Sequence, residues 1–153
     1  MNSPTSDEFP IAASSEWAAF ILRMALGVMF VSHALLKYLV FTLAGAMQFF
    51  SAAGFPPWLA PVTIVAELIG GSMLILGIRS RWASAALLPV LLGATWAHWP
   101  NGWDFAAPHG GWEFPAFLVA AAVVQLLLGD GVLALRPDRL LGRSASHSYS
   151  RVP

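Results

Sequence analysis

Few residues in this 153-residue chain could do chemistry, and they lie in apolar surroundings. Arg23 and Glu67 each interrupt a long hydrophobic run. An ionisable side chain at mid-bilayer costs about 2.5–3.5 kcal/mol on insertion scales, so it needs a partner or a task. Arginine grips a carboxylate through a planar fork of donors, which predicts a buried Arg23–Glu67 ion pair. The plain reading of that pair is a device fixing helix register. The functional reading is a proton or ligand site in which Glu67 titrates in a low dielectric. His33 and Lys37 are i, i+4 neighbours. At 100° per residue, Arg23, Phe30, His33 and Lys37 fall within roughly 80° of one another, so this helix has a polar face that must look inward. His98, His109 and Glu113 are expected at the same end as Lys37. The sum is a candidate polar pocket of His33, Lys37, Glu67, His98 and Glu113, open outward, floored by the Arg23–Glu67 pair and rimmed by aromatics. No catalytic residue is assigned within it.

Histidines and glutamates could ligate a metal. No HxxxH or ExxH spacing supports one, however, and Lys37 would repel the ion, so no metal is expected. A quinone fits better as a cofactor. Its carbonyls accept hydrogen bonds from His, Lys or Trp, and its ring and tail favour aromatic, lipid-facing surroundings. Transport is a thinner option, because neither broken helices nor inverted repeats are evident. The alternative to any ligand is that these groups only anchor helix ends, as Lys and His do when they snorkel.

The elements that must position these residues follow from composition. Apolar residues make up 58% of the chain and charged residues 10%, with zero net charge. A soluble domain carries about 25% charged residues, so this chain is too apolar to cover a water-facing surface. There is no basic excess, which excludes nucleic-acid binding by bulk charge. There is no cysteine, which excludes disulfides, thiolate catalysis and Cys-ligated metal centres. Four segments approach the roughly 20 apolar residues that a spanning helix needs. They run from about Trp17 to Tyr38 or slightly beyond, from Trp58 to Ile78, from Trp82 to Trp99 and from Phe114 to Leu135. All seven tryptophans fall at the ends of these segments or in a connecting loop, as indole's preference for the headgroup level predicts.

The expected fold is all-α, a membrane-spanning four-helix bundle. Arg79, Arg81, Arg136, Arg139, Arg143 and Arg151 gather on one side, which places both termini in the cytoplasm. Residues 1–15 are expected to be a mobile N-terminal segment, 16–136 the helical domain and 137–153 a flexible tail. Residues 39–57 contain an apolar stretch expected to form a short helix in the outer interface. Pro61 and Pro115 suit first helical turns, and Pro89 should kink the third span. Gly70, Gly71 and Gly77 suit close helix packing. Gln125 suits an interhelical hydrogen bond, and Asp130 a pairing with Arg79, Arg81 or Arg136.

The order and spacing of these features resemble a known family. The first span reads Arg23-x-x-x-Gly27, then His33 and Lys37. The second reads Glu67-x-x-Gly70-Gly71 with Leu76-Gly77, Arg81 and His98 bound the third, and Gly129-Asp130-Gly131 ends the fourth. Over residues 17–135 this is similar to the DoxX family of four-span bacterial inner-membrane proteins. Ala34 and Asp130 depart from the family pattern, where glycine and proline are common. The resemblance implies a small subunit of a membrane redox or oxidative-stress system; the alternative is a non-catalytic membrane scaffold whose buried charges are structural. The partners to expect are the lipid bilayer, a partner redox enzyme and a second copy of the chain, with no nucleic acid.

Overall fold

A computed structural model describes residues 11–135. The first ten residues and the tail from residue 136, with Arg136, Arg139, Arg143 and Arg151, lie outside the described residues. Among the described residues the regular elements are all helical. Helix α1 (Ile11–Leu35) runs into a π turn (Leu36–Val40) and is followed by α2 (Thr42–Ala52), α3 (Leu59–Leu76), α4 (Ser80–His98) and α5 (Glu113–Leu128). A 3₁₀ turn (Trp99–Asn101) extends α4.

The boundaries have local causes. No glycine or proline falls between Ile11 and Leu26, so nothing stops α1 short, and it begins at Ile11 rather than near Trp17. Residues 11–15, read from the sequence as part of a mobile segment, are its first turn. Helix α3 ends at Gly77, whose φ of 69° is left-handed. The Gly77 N–H donates to Leu74 O and the Ile78 N–H to Met73 O, a closing pair that only a residue without a Cβ adopts freely. The expected fourth span is too long at its C-terminal end. Helix α5 stops at Leu128, because Gly129 (φ 87°) leaves the helix. Residues 130–135 turn back across the bundle instead, with the Val132 N–H on Glu16 O and the Leu135 N–H on Leu76 O.

Helix α1 packs on α3 and α5, and α4 packs on α5 and α3, which closes a ring of four. The α1–α3 crossing is backbone against backbone. A Cβ added at Gly27 would lie 2.8 Å from Gly71 O, and one at Gly71 would lie 2.9 Å from Gly27 O. The core inside the ring holds Leu26, Phe30, Leu74, Leu87, Leu91 and Leu118, with Ala83, Ala121 and Ala122 between them. A smaller cluster of Ala34, Ala46, Ala60 and Ile64 seats α2, the short helix expected after the first span, against α1 and α3.

The outer surface is apolar too. Ile21, Val65, Ile69, Leu92, Phe117 and Leu127 are all exposed. Water-soluble monomers rarely expose so many large apolar side chains together. Two helices, Ile11–Val40 and Leu59–Leu76, are long and apolar enough to cross a membrane. Helix α5 is apolar but shorter.

Candidate functional site

Two polar regions lie inside the ring, at different heights. The first is built around Arg23, which has no exposed surface. Its Nε donates to Asp130 O at 2.9 Å. Its Nη1 donates to Leu74 O and Ile75 O at 2.9 and 2.7 Å. Its Nη2 donates to Val132 O and Leu133 O at 2.9 and 3.0 Å. A guanidinium has five N–H donors, and here five carbonyls receive them. Two of these belong to the last turn of α3, where free carbonyls and the helix dipole favour a cation. The other three belong to the chain after α5. The Phe20 ring lies under the guanidinium, 5.0 Å from Cζ to centroid. Gly77 makes room, since a Cβ there would come within 2.9 Å of Arg23 Cζ. Among the described residues Asp130 forms no ion pair with Arg79 or Arg81, and Arg136 lies outside the described residues. Asp130 Oδ1 accepts from the Ser80 N–H at 2.7 Å and so caps α4. Gln125 donates to Gly129 O at 2.6 Å, four residues away, rather than to another helix.

The second region is built around Glu67, and the expected Arg23–Glu67 pair is not formed. Glu67 Oε1 instead accepts from Lys37 Nζ at 2.6 Å. Helix register is the reason. Gly27 faces Gly71 across the antiparallel α1–α3 pair. Arg23, one turn earlier in α1, is therefore level with Ile75, whereas Glu67 is level with Val31. Side chains on a helix lean toward its N-terminus, so Lys37 reaches back down α1 toward Glu67. Lys37 also sits on the π turn, whose wider winding is marked by the Phe41 N–H bonding Leu36 O at 3.1 Å. Such turns are frequent at functional sites.

Glu67 is almost fully buried, yet its Oε2 has no hydrogen-bond partner. A buried acceptor left so costs about 1–3 kcal/mol, and more when charged. Ser80 Oγ, Ser84 Oγ and Gln125 Oε1 are also unpartnered. They are neutral and none lines the cavity that Glu67 lines. That cavity has a volume of about 500 Å³, within the usual range for small-molecule pockets. His33, Lys37, Glu67 and His98 all line it, so four of the five expected pocket residues come together.

The fifth, Glu113, does not. It opens α5, and Phe114, Pro115 and Leu118 are the α5 residues that line the cavity. Glu113 is about 100° around the helix from Phe114 and lies in a separate groove with Trp103, Phe105 and Phe117. His109 lies in another groove, beside Trp96 and Trp99.

Both cavity histidines are held by carbonyls. His33 Nδ1 is 2.9 Å from Met29 O and His98 Nδ1 is 3.1 Å from Gly110 O. A carbonyl only accepts, so each Nδ1 carries the proton and the neutral ring keeps Nε2 as an acceptor. His33 stacks on Phe114, with 6.3 Å between centroids. His98 is fixed by the loop after α4, where Asn101 Nδ2 also donates to Gly110 O at 2.9 Å and Trp99 stacks on Trp112.

Sequence reading expected an aromatic rim but did not name the residues of the apolar walls. Phe49 and Phe50 of α2, and Phe55 after it, line the cavity, as do Thr63, Pro89 and Gly93. The volume exists because the facing side of α4 is built from Ala86, Pro89, Gly93, Ala94 and Ala97. A signal was available in the small-residue spacing of α4 at 86, 89–90, 93–94 and 97, a helical stripe opposite Glu67. Among the described residues, no three of His, Asp and Glu gather into a metal-holding group. The arrangement offers an aromatic-walled slot with a cation, a half-satisfied carboxylate and two fixed imidazoles at its polar end.

The DoxX family model matches residues 18–99. A protein of Bacillus subtilis (strain 168), named "Putative oxidoreductase CatD", is 31% identical over 131 residues, covering 85% of this chain and 92% of that protein. No solved structure gives a significant match.

Proposed function

The chain belongs to the DoxX family, and from that premise we propose that it is a small membrane redox subunit whose cavity holds the ring of a quinone-class molecule. The oxidoreductase name of the Bacillus subtilis relative supports the redox reading. The observation that carries the pocket reading is Glu67 Oε2, a buried carboxylate oxygen with no partner, in an aromatic-walled cavity of about 500 Å³.

In this reading α1, α3, α4 and α5 all cross a bacterial inner membrane. Arg79 and Arg81 mark the cytoplasmic end, where both termini also lie, and the cavity sits toward the outer side. Helix α5, at about 24 Å, is shorter than the hydrocarbon core, and the segment after it completes the depth. Phe114, Phe49 and Phe55 would hold the ring. Lys37 and the imidazoles of His33 and His98 would orient its oxygens, and Glu67 would hold or release a proton beside them. The chain has no cysteine and no dinucleotide-binding fingerprint. Electrons would therefore pass between the bound ring and a partner redox protein.

Gentle purification from native membranes, followed by mass spectrometry of co-purified lipids and proteins, tests this. The expected result is a prenylated quinone together with a redox partner protein. Recovery of partner proteins with no quinone would favour a scaffold, and recovery of the bare chain would count against both.

A further inference from the structure

The cavity has a side as well as an end. Helices α3 and α4 touch where a Cβ on Gly70 would lie 2.8 Å from Leu87 Cδ1. The chain bridges them again higher up, where a Cβ on Gly93 would lie 3.9 Å from Phe55 Cζ. Between these two contacts both helix edges line the cavity, with Val62 and Ala66 on α3 and Pro89 and Val90 on α4, and Ala86 lines it just beyond the Leu87 contact. Val62, Ala86 and Pro89 are exposed. Alanine and proline have too little side chain to fill the gap, and α2 packs against α3 and the π turn instead. Pro89 lies at the middle of α4. A gap at that height of a spanning helix faces acyl chains, not water.

The polar end of the cavity has a definite donor and acceptor balance. Glu67 Oε2 is a free acceptor. His33 and His98, with Nδ1–H committed to carbonyls, each keep Nε2 as an acceptor. Among the described residues that line the cavity Lys37 is the one cation, and one of its three N–H bonds is taken by Glu67. A ligand carbonyl beside Glu67 would set oxygen against oxygen, whereas a ligand hydroxyl would donate.

We propose that the cavity is loaded sideways from the bilayer, through the gap between α3 and α4, by a lipid-phase ring molecule in its reduced, hydroxyl-bearing form. Its hydroxyls donate to Glu67 Oε2 and to the imidazole of His33 or His98. This rests on the quinone-class reading and adds the route and the redox form.

The chain has no cysteine, so Ala86→Cys carries a single nitroxide label, and Val90→Cys is the second position should the first fold poorly. The protein is reconstituted in phosphatidylcholine–phosphatidylglycerol bilayers. The expected result is that the label collides with dissolved oxygen far more than with a water-soluble nickel chelate. A prenylated benzoquinol should slow the label, and the matching quinone should need at least about tenfold more to do so. Replacing the ionic pair (Lys37→Met with Glu67→Leu) should erase that preference. A label wetted by the nickel chelate overturns side loading. Equal or stronger binding of the quinone overturns the hydroxyl assignment. Either result leaves the quinone-class reading intact, whereas no binding of either form, by label and by equilibrium dialysis, overturns both.

Discussion

Arg23 and Glu67 are equally hidden, yet their surroundings differ in kind. Arg23 spends all five donors on main-chain carbonyls, and its own carbons and Phe20 fill the space around it. Glu67 has one oxygen bonded and one bare, and it borders open volume. A buried ionic group that is saturated holds a structure together. One that is half-saturated beside a cavity has capacity left for something else. Burial alone would have ranked the two as equals; counting their partners separates them. The partners also differ in what mutation can reach. Lys37 and Glu67 can both be replaced, but carbonyls cannot be, so nothing can compensate for loss of Arg23.

Arg23→Met should therefore have the largest effect. It takes the guanidinium from five carbonyls at the junction of α1, α3 and the segment after α5, of which Leu74 O alone keeps a second donor in the Gly77 N–H, and a loss of about 3–5 kcal/mol is expected. Thermal unfolding in detergent, compared with the parent chain, measures it, and Arg23→Lys should rescue little because three ammonium donors cannot serve five carbonyls. A near-parental transition would erase the distinction between the two regions.

Gly77→Ala follows, at about 1–3 kcal/mol. It combines a φ of 69° with a Cβ 2.7 Å from Ala134 Cα. Its counterpart at the cavity end, Gly93→Ala, has a negative φ and no atom nearer than 3.9 Å. That change should leave stability equal or raise it by up to about 1 kcal/mol through helix propensity, while trimming the cavity. Opposite signs in the same unfolding assay would sharpen the contrast.

The double change Lys37→Met with Glu67→Leu should be the mildest for stability, within about 1 kcal/mol. Replacing both members of a buried pair by apolar groups leaves nothing unsatisfied. The preference for the hydroxyl-bearing form over the quinone should nonetheless be lost. A large loss of stability here would make the Lys37–Glu67 pair structural, like Arg23.

Much of the fold was legible because its signals are local. A run of about 20 apolar residues needs no tertiary information to be read as a helix suited to lipid. Trp58, Trp82 and Trp99 each stand at the edge of a helix, where they were expected, whereas Gly77, read as a packing residue, ends α3. The exceptions are local signals read too generously. Gly129 was absorbed into the fourth span, and Glu113 was added to the pocket on its height alone, although its angle on α5 takes it elsewhere. Arg23 and Glu67 were both recognisable as costly and inward-facing. Which partner each finds was not, because that depends on how far one helix slides along another.

The sequence by itself determined that this chain is helical, that its outside is as apolar as its inside, and that a handful of charges must be hidden. Those properties follow from residue type and from the 3.6-residue period, which act over a few turns at most. Tertiary structure alone decided the pairing. The Gly27–Gly71 crossing sets the α1–α3 register, sending Arg23 to carbonyls at the end of α3 and leaving Glu67 to Lys37. It also decided that small residues on α4 face that carboxylate across a gap. Partner and volume are relations between helices, and no single stretch of chain contains them.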